Sequence, residues 1–368
     1  MKSVIAIILG TSHYNDYGLI RSLSKASIPF VFIMKGKSDV FCLTKSKYLK
    51  DVPFYKVTSY EESYRIIESY RSMRGRKFII STNDSAAEFI DAHELELCDN
   101  FVTPMRGGHI GKYFNKIEQC KLAISCGLLV PKSIVYHNGD SLQTNNLSYP
   151  LLTKPLESSM GSKSDIHICK THNELKIAIN GNSNCKAFII QEYIEKDYEI
   201  NALGVRSEHG IIWGGAIKKI RHYPSIVGSA TYAKFHSVQE LNIDTKGVEH
   251  FLEHIGYYGL FSVEFLKKGN NNYFMEVNMR NDGLCYTSTC ANRNLPALYI
   301  QPCLNYRIKE VTPIYMMNIL QDFKAIIKSK KGVFGWLKQL FKTKCFLDFD
   351  SKDIKPFVYF ILKFIFKK

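Results

Sequence analysis

Short apolar runs alternate with helical spacing at the start of the chain. Residues 4–9 and 30–33 are almost continuously apolar, and residues 17–27 between them have the periodicity of a helix. Continuous apolar strands are typical of a parallel sheet covered on both faces. The pattern therefore predicts a βαβ unit, with another strand at residues 77–81. The turn at Gly10 lacks a complete Gly-x-Gly-x-x-Gly pattern, so nicotinamide binding is not supported.

The middle of the chain alternates predicted strands with polar segments. One strand ends at Lys154 and leads into a loop rich in Ser and Gly, residues 157–164. Backbone N–H groups and hydroxyls in such a loop bind phosphate oxygens, although a solvated turn has the same composition. Its spacing is not that of a P-loop. A buried strand at residues 187–191 follows, and then a strand that carries Glu199.

Residues 261–280 predict a β-hairpin. Aromatic and β-branched residues flank a turn rich in Gly and Asn at residues 267–272. Side chains alternate along a strand, so Glu276 and Asn278 share a face, and folding brings Glu264 beside them. Two carboxylates and an amide suit Mg²⁺, which needs few protein ligands. An amphipathic hairpin with a solvated polar face is the alternative.

Two other polar groups fit either a site or a structural role. Lys218, Lys219 and Arg221 are close in sequence, and they either clamp phosphate or contribute surface charge. Asn83 and Asp84 follow the strand at residues 77–81, where a ligand could bind. Capping of the next helix is the favoured interpretation of that pair.

Composition indicates a globular protein with uneven charge. The chain has 368 residues, a net charge of +15 and ten Cys without a Cys-x-x-Cys pair. Neither a signal peptide nor a transmembrane run is recognised, so we expect a reduced, cytoplasmic protein. Residues 321–368 contain 12 Lys against 4 Asp, a net charge of +8.

The C-terminal segment, residues 307–368, is predicted to form a basic amphipathic tail. Val333, Trp336, Leu337, Leu340 and Phe341 fall on one helical face, and a later apolar run is too short to span a bilayer. Lys combined with Trp and Phe favours contact with an anionic membrane surface through residues 331–368. Packing on the catalytic domain or on a second subunit is the alternative. The segment has no nucleic-acid-binding motif.

The order of these features resembles the ATP-grasp superfamily over residues 1–300. The matching elements are a Rossmann-like first domain, an Asn115-Lys116 helix start, a Tyr-Pro strand ending in Lys-Pro, a Ser/Gly loop, a Gln-Glu-Tyr-Ile hinge and a Glu…Glu-x-Asn hairpin ending in Arg280. The resemblance implies an α/β (α+β) chain. A pre-ATP-grasp domain (1–110) precedes a two-subdomain ATP-grasp domain (111–306) with a lid at about 130–195.

The resemblance also implies a role for each matched residue. Lys116 and Lys154 would approach the phosphates of ATP, Arg280 would stabilise the acyl-transfer intermediate, and Lys219 and Arg221 would contact the γ-phosphate or substrate. The lid residues implied to close over the phosphates are Glu157, Ser158, Ser159, Gly161 and Ser162. The residues implied for adenine are Glu192, Tyr193 and Ile194, and Glu199 is implied for the ribose. The implied ligands of Mg²⁺, or of Mn²⁺, are Glu264, Glu276 and Asn278.

The implied activity is ATP-dependent carboxylate–amine ligation through an acyl phosphate. Residues 20–23, 46–48 and 221–224 resemble the D-aspartate ligase-like and carbamoyl-phosphate-synthase-like branch, whose members often serve cell-envelope or surface-polysaccharide pathways. The expected partners are a small carboxylate and an amine. A lipid-linked acceptor, a homodimer and a peripheral location at the inner membrane face are left open. The alternative function is a non-catalytic nucleotide-binding scaffold or sensor tethered to the membrane.

Overall fold

The computed structural model describes most of the chain as two compact units. The described residues are 4–144, 146–156, 166–181, 185–224, 228–300, 310–329 and 332–366. The first unit comprises Met1–Leu128, Glu199–Phe265 and Met275–Lys368, and the second comprises Leu129–Tyr198 and Leu266–Phe274. The lid predicted at about residues 130–195 falls within the second unit.

The N-terminal part of the first unit contains a parallel four-stranded sheet. Its elements are β1 (Val4–Gly10), α1 (Tyr14–Lys25), β2 (Phe30–Lys35), β3 (Phe54–Val57), α2 (Tyr60–Ser69), β4 (Arg76–Ser81), α3 (Asp84–Ala92) and α4 (Glu94–Leu97), with short 3₁₀ turns at Leu43–Lys45 and Lys47–Leu49. The strand order is β3-β2-β1-β4, and every pairing is parallel. The predicted Rossmann-like arrangement is therefore confirmed.

Gly10 permits the tight turn at the end of β1. A Cβ atom there would lie 2.0 Å from Oδ1 of Asp16 and 2.8 Å from Oγ1 of Thr82. The Asp16 carboxylate occupies this space, where it accepts hydrogen bonds from the backbone N–H groups of Thr11 and His13. The same carboxylate fixes the start of α1, because His13 is the N-cap of that helix.

The second unit is built on a small antiparallel sheet. After a 3₁₀ turn (Gly111–Phe114) and α5 (Lys116–Ser125) of the first unit, the chain forms β5 (Ser133–His137), β6 (Leu151–Pro155), β7 (His167–Cys169), α6 (His172–Gly181) and β8 (Ala187–Glu192). Their order in the sheet is β5-β8-β6-β7. Leu151, Phe188 and Ile190 are completely buried between this sheet and α6.

A seven-stranded sheet dominates the rest of the chain. Its strands are β9 (Tyr198–Ser207), β10 (Gly210–Tyr223), β11 (Ser229–His236), β12 (Leu260–Lys268), β13 (Asn271–Asn278), β14 (Ile314–Met317) and β15 (Thr343–Phe346). They are ordered β13-β12-β9-β10-β11-β14-β15. The helices are α7 (Thr245–Ile255), α8 (Tyr286–Cys290), α9 (Leu295–Ile300), α10 (Ile319–Lys328), α11 (Val333–Lys342) and α12 (Lys355–Phe366).

Strands β14 and β15 of the C-terminal segment belong to this sheet, so this part of the segment packs on the first unit, which was the alternative to a membrane-facing tail. β14 pairs antiparallel with β11, and β15 pairs parallel with β14. Buried Arg21 on α1 donates hydrogen bonds to the carbonyls of Phe346, Leu347 and Phe349 at 2.7–3.1 Å. The two strands are only four residues each, too short for their alternation to stand out in the sequence.

A second contact between the two ends of the chain centres on buried Asp353. Its carboxylate accepts hydrogen bonds from the hydroxyls of Tyr17 and Ser46 and from the backbone N–H of Lys47. Tyr48 also donates to Asp350 at 2.9 Å.

Within the described ranges, none of the helices combines the length and the apolar character needed to span a bilayer.

Candidate active site

The hairpin of β12 and β13 carries the three predicted metal ligands in the first unit. Glu264 lies on β12, and Glu276 and Asn278 lie two residues apart on β13, so the latter two share a face. The amide of Asn278 donates a hydrogen bond to the hydroxyl of Ser262 across the two strands at 3.2 Å. We call Glu264, Glu276 and Asn278 the oxygen cluster.

Each member of the oxygen cluster contacts a cationic side chain. Nζ of Lys219 lies 2.9 Å from Oε2 of Glu264, and Lys116 forms an ion pair with Glu276. Nη2 of Arg280 donates to Oδ1 of Asn278 at 3.0 Å. Lys116, Lys219 and Arg280 therefore lie around the same small group of oxygens. We call them the three cations.

Helix α5 holds Lys116 over the hairpin. Asn115, the N-cap, accepts a hydrogen bond from the backbone N–H of Ile117 at 2.8 Å. One turn later, buried Gln119 both accepts from the N–H of Val277 at 2.8 Å and donates to its carbonyl at 3.0 Å. This double contact locks the helix against β13 beside Glu276.

Burial and mutual charge determine the ionisation of the cluster. Burial raises the pKa of the Glu264 carboxyl, the Lys219 ammonium opposes the shift, and the nearby charge of Glu276 adds to it. Burial alone would lower the pKa of Lys219, but Glu264 and Glu199 outweigh it and the pKa is raised. Glu276 likewise raises the pKa of Lys116 against the effect of its desolvation. Both lysines are therefore fully charged at neutral pH.

The oxygen cluster has the donor chemistry of a magnesium site. Within the part of the chain that the structure describes, no three His, Cys, Asp or Glu side chains form a ready-made cage for a metal ion. A metal at the hairpin would therefore use two carboxylates and the amide oxygen of Asn278, leaving its other positions to water and phosphate. The repulsion between Glu264 and Glu276 is the observation that favours a divalent cation between them.

Arg280 also has a carboxylate partner, Asp84, to which the sequence analysis assigned a different role. Asn83 does cap α3, accepting from the N–H of Ala86, but Asp84 accepts from Nε of Arg280 at 2.5 Å. The pKa of Arg280 is raised because Asp84 outweighs the desolvation of the guanidinium. Residues after β4 thus orient the guanidinium. In the sequence, the feature that pointed to this role was the position of Asn83 and Asp84 at the carboxyl end of a parallel strand.

A buried polar network joins the loops after β1 and β4 to the end of β13. The Asn15 amide donates to the carbonyls of Thr82 and Asn281 at 2.7 and 2.9 Å, and Asn281 donates back to Asn15. The backbone N–H of Asn281 also donates to the carbonyl of Ser81 at 3.0 Å. These contacts fix the backbone immediately after Arg280.

Asp282 is a further residue that the sequence analysis missed. Its carboxylate accepts from Asn201 at 3.3 Å, from Ser262 at 2.9 Å and from the backbone N–H of Leu284 at 2.8 Å. It therefore links β9, β12 and the loop after the hairpin directly behind the oxygen cluster. Its position two residues after Arg280 was the only available signal.

Lys219 and Arg221 do not share the predicted role. The pairing of β10 with β11 shifts register on both sides of Arg221. Arg221 consequently forms a two-point contact with buried Asp322 at 2.8 Å, while Nε2 of His222 lies 3.3 Å from Glu199. The structure thus corrects the prediction for Arg221, which pairs with the C-terminal segment.

Glu199 lies beside Lys219 in the first unit. Its Oε2 accepts a hydrogen bond from Nζ of Lys219 at 3.1 Å, so Lys219 bridges Glu199 and Glu264. The assignment of Glu199 to the ribose stays a prediction.

The other predicted nucleotide residues belong to the second unit. Lys154 lies on β6, opposite Ile189 of β8. The backbone N–H groups of Glu192 and Tyr193 donate to the carbonyls of Lys132 and Pro150 at 2.9 Å. Adenine contacts at this edge would therefore use carbonyl oxygens and Ile194. The predicted lid residues Glu157, Ser158, Ser159, Gly161 and Ser162 lie outside the described residues.

Comparison with known proteins matches the middle of the chain to a known domain family. Residues 121–293 match the family model of the ATP-grasp domain. A formate-dependent phosphoribosylglycinamide formyltransferase of Francisella tularensis subsp. novicida is 31% identical over 148 residues, which cover 37% of this chain and 36% of that protein. The corresponding protein of Prochlorococcus marinus strain AS9601 is 28% identical over 216 residues, 55% of this chain and 53% of that protein. The chain thus spans about a third to a half of the length of these curated relatives.

A solved structure shares the fold over a longer range. The ADP complex of an N5-carboxyaminoimidazole ribonucleotide synthetase superposes with a TM-score of 0.67 at 14% identity. The superposition covers 89% of this chain and 85% of that protein. At this level of identity the likeness establishes the fold alone, and it confirms the predicted fold class.

Proposed function

We propose that the chain, whose residues 121–293 match the family model of the ATP-grasp domain, is an ATP-dependent carboxylate–amine ligase. The observation that carries the proposal is the alternation of three oxygen donors with three cations at the end of the hairpin. Such a group neutralises the phosphate oxygens of ATP and the charge that develops during phosphoryl transfer. A purely structural hairpin has no need for this concentration of charge.

The proposed reaction has two steps. A carboxylate oxygen of the first substrate attacks the γ-phosphorus of ATP, the bond to the β,γ-bridging oxygen breaks, and ADP leaves. The nitrogen of an amine then attacks the carbonyl carbon of the acyl phosphate, inorganic phosphate leaves with the former carboxylate oxygen, and the nitrogen loses a proton to solvent. The products are an amide, ADP and phosphate.

Each charged residue has a proposed task in these steps. Lys116 and Lys219, which contact Glu276 and Glu264, are positioned to exchange those partners for phosphate oxygens. Arg280, oriented by Asp84, would bind the carboxylate or the oxyanion of acyl transfer. Glu264, Glu276 and Asn278 would hold Mg²⁺, which supplies positive charge to the phosphates when it is bound.

The resemblance also assigns nucleotide-binding roles to residues of the second unit. Lys154 would contact ATP phosphates, and the segment from Glu192 to Ile194 would recognise adenine through backbone groups. Glu199 would hold the ribose. The ADP bound to the solved structure of similar fold is consistent with this assignment.

The names of the curated relatives favour small substrates. Formate is a carboxylate and phosphoribosylglycinamide carries an amine, so a formate-dependent transfer between them fits the same two-step scheme. We propose that the amine substrate is a small molecule of this general kind. The competing proposal is that the enzyme adds an amino acid to a cell-envelope or polysaccharide intermediate. Only the sequence resemblance supports this substrate class.

The test is an ADP-release assay with Mg²⁺-ATP and pairs of carboxylates and amines, including formate, amino acids and glycinamide derivatives. We expect ADP release to require both partners and to yield a product with the mass of the amide. The rate of ADP release should fall at least about 100-fold in the Glu276→Gln variant. Glu240→Gln, which alters a carboxylate outside the cluster, is the matched control. Tight ATP binding without release for any pair would contradict the proposal and favour a nucleotide-binding scaffold.

A further inference from the structure

Helix α11 exposes its most apolar face to solvent. Phe334 and Phe341 are 85% and 83% exposed, and Leu337 between them is 38% exposed. Their spacing places all three on one helical face. Trp336, which the sequence analysis placed on the same face as Leu337 and Phe341, is instead buried on the other side of the helix and donates a hydrogen bond from Nε1 to Asp322 at 2.9 Å. An ordinary surface helix has the reverse arrangement, so this apolar face needs an explanation.

The exposed face continues onto α10. Phe323 and Ile327, one turn apart, are 38% and 58% exposed. The ring of Phe323 lies 5.1 Å from that of buried Trp336, which joins the two helices. We call the exposed side chains Phe323, Ile327, Phe334, Leu337 and Phe341 the apolar face.

Anchoring of α11 keeps this face turned outward. Asp322 on α10 is completely buried and accepts hydrogen bonds from Arg221, Thr231 and Trp336 at 2.6–2.9 Å. Gln339 on α11 accepts a further hydrogen bond from Arg221 at 2.7 Å. Rotation of α11 to bury its phenylalanines would break the hydrogen bonds made by Trp336 and Gln339, and Asp322 and Arg221 would each lose a polar partner.

Apart from buried Asp322, the sequence that forms the apolar face carries charge of one sign. Lys338 and Lys342 flank the stripe on α11, and both are exposed. Residues 319–346 contain seven lysines and a single acidic residue, which is the buried Asp322. Aromatic side chains at the centre with lysines at the edge suit the interface of an anionic bilayer, where rings enter the headgroup region and ammonium groups meet acidic lipids.

We propose that the apolar face of α10 and α11 docks the protein onto an anionic lipid bilayer. This location is narrower than the whole segment 331–368 predicted from the sequence, because β15 and Asp353 of that segment are committed to the fold. A second copy of the chain is the competing occupant. It is less favoured because two identical surfaces would bring lysine clusters of the same sign together.

Vesicle flotation of the full-length chain tests the proposal. We expect binding to vesicles of phosphatidylcholine with roughly one third phosphatidylglycerol, weak binding to phosphatidylcholine alone, and loss of binding as salt rises. The double variants Phe334→Ser/Phe341→Ser and Lys338→Gln/Lys342→Gln should each reduce the bound fraction at least tenfold. Their thermal unfolding should be unchanged, since all four side chains are exposed.

Matched variants elsewhere provide the controls. Leu95→Ser/Ile124→Ser removes two side chains that are 65% and 62% exposed, and Lys50→Gln/Lys56→Gln removes two exposed lysines. Both should float as the parent chain does. Equal flotation of the parent and the Phe334→Ser/Phe341→Ser variant would overturn the proposal. The parent chain could instead bind neither kind of vesicle and be an oligomer by light scattering, while the Phe334→Ser/Phe341→Ser variant is a monomer. That result would assign the apolar face to contact with a second copy.

Discussion

The charge state of Glu264 depends on two neighbours with opposite effects. Lys219 stabilises the carboxylate, whereas burial and the charge of Glu276 favour the protonated acid, and the pKa is raised as a result. A ligand in this position binds a divalent ion only after it loses its proton. Metal binding at the hairpin should therefore be more sensitive to mild acid than binding at an ordinary glutamate.

This sensitivity gives a prediction about pH. At low Mg²⁺, ADP release should begin to fall at a pH above 4.5, the usual value for a glutamate, because the folded-state pKa of Glu264 is raised and its protonated form predominates below that pKa. Raising Mg²⁺ should move the decline to lower pH, since metal and proton compete for the carboxylate. The measurement is ADP release against pH at two Mg²⁺ concentrations. An acidic decline at the same pH in both series would contradict the assignment.

The oxygen cluster was predictable because its three residues lie on two strands joined by one short turn. Glu276 and Asn278 share a strand face by alternation alone, and a short turn returns the chain to Glu264. The partner Asp282 was missed because it comes from a loop, where no periodicity states which way a side chain faces. Asp84 was assigned to helix capping because it stands at the start of α3. Contacts between distant loops follow from the fold, so a single sequence carries little trace of them.

At the scale of elements, the register shift in β10 separates two neighbouring basic residues. Lys219 reaches Glu199 and Glu264, while Arg221 reaches Asp322 on α10. Regular alternation would have sent both side chains to one face. The sequence analysis gave them one role because they are close in sequence and because the resemblance implied it. A register shift leaves no reliable mark in the amino-acid pattern.

The separation predicts that Arg221→Met affects stability more than chemistry. Asp322 is completely buried, and loss of its partner leaves an uncompensated charge, so the free energy of unfolding should fall by about 3–5 kcal/mol. ADP release per folded molecule should stay within a few-fold of the parent. Thermal unfolding and ADP release measured on the same preparation check both parts.

The exposed pair of Arg71 and Glu68 offers the control for this variant. Arg71→Met breaks an ion pair whose side chains are 36% and 29% exposed, and its thermal transition should stay close to that of the parent chain. An Arg221→Met chain with parental stability and a 100-fold loss of turnover would restore the catalytic role originally predicted for Arg221.

At the scale of the whole molecule, the two ends of the chain share one hydrophobic core. Met316 and Cys345, from β14 and β15, are buried in the same cluster as Ile8 of β1 and Ile20 of α1. The sequence revealed the parallel sheet and the hairpin because their apolar runs are long or patterned. It did not reveal this closure of the fold, since the strands involved are short and pair with residues far away in sequence.

The shared core predicts that a chain ending at Glu310 will not fold. Removal of β14 and β15 takes away the buried side chains of Met316, Met317 and Leu347, each worth about 1.5–3 kcal/mol. It also strips the buried Arg21 guanidinium of three carbonyl acceptors. The sum is comparable to the whole stability of a typical domain, about 5–15 kcal/mol.

We expect the truncated chain to lack a cooperative thermal transition and to be degraded rapidly in limited proteolysis. Phe366→Ser, at a side chain that is 74% exposed near the same end, should retain the parental transition. A truncated chain that unfolds cooperatively and binds ATP as the parent does would show that the C-terminal segment is a separate appendage.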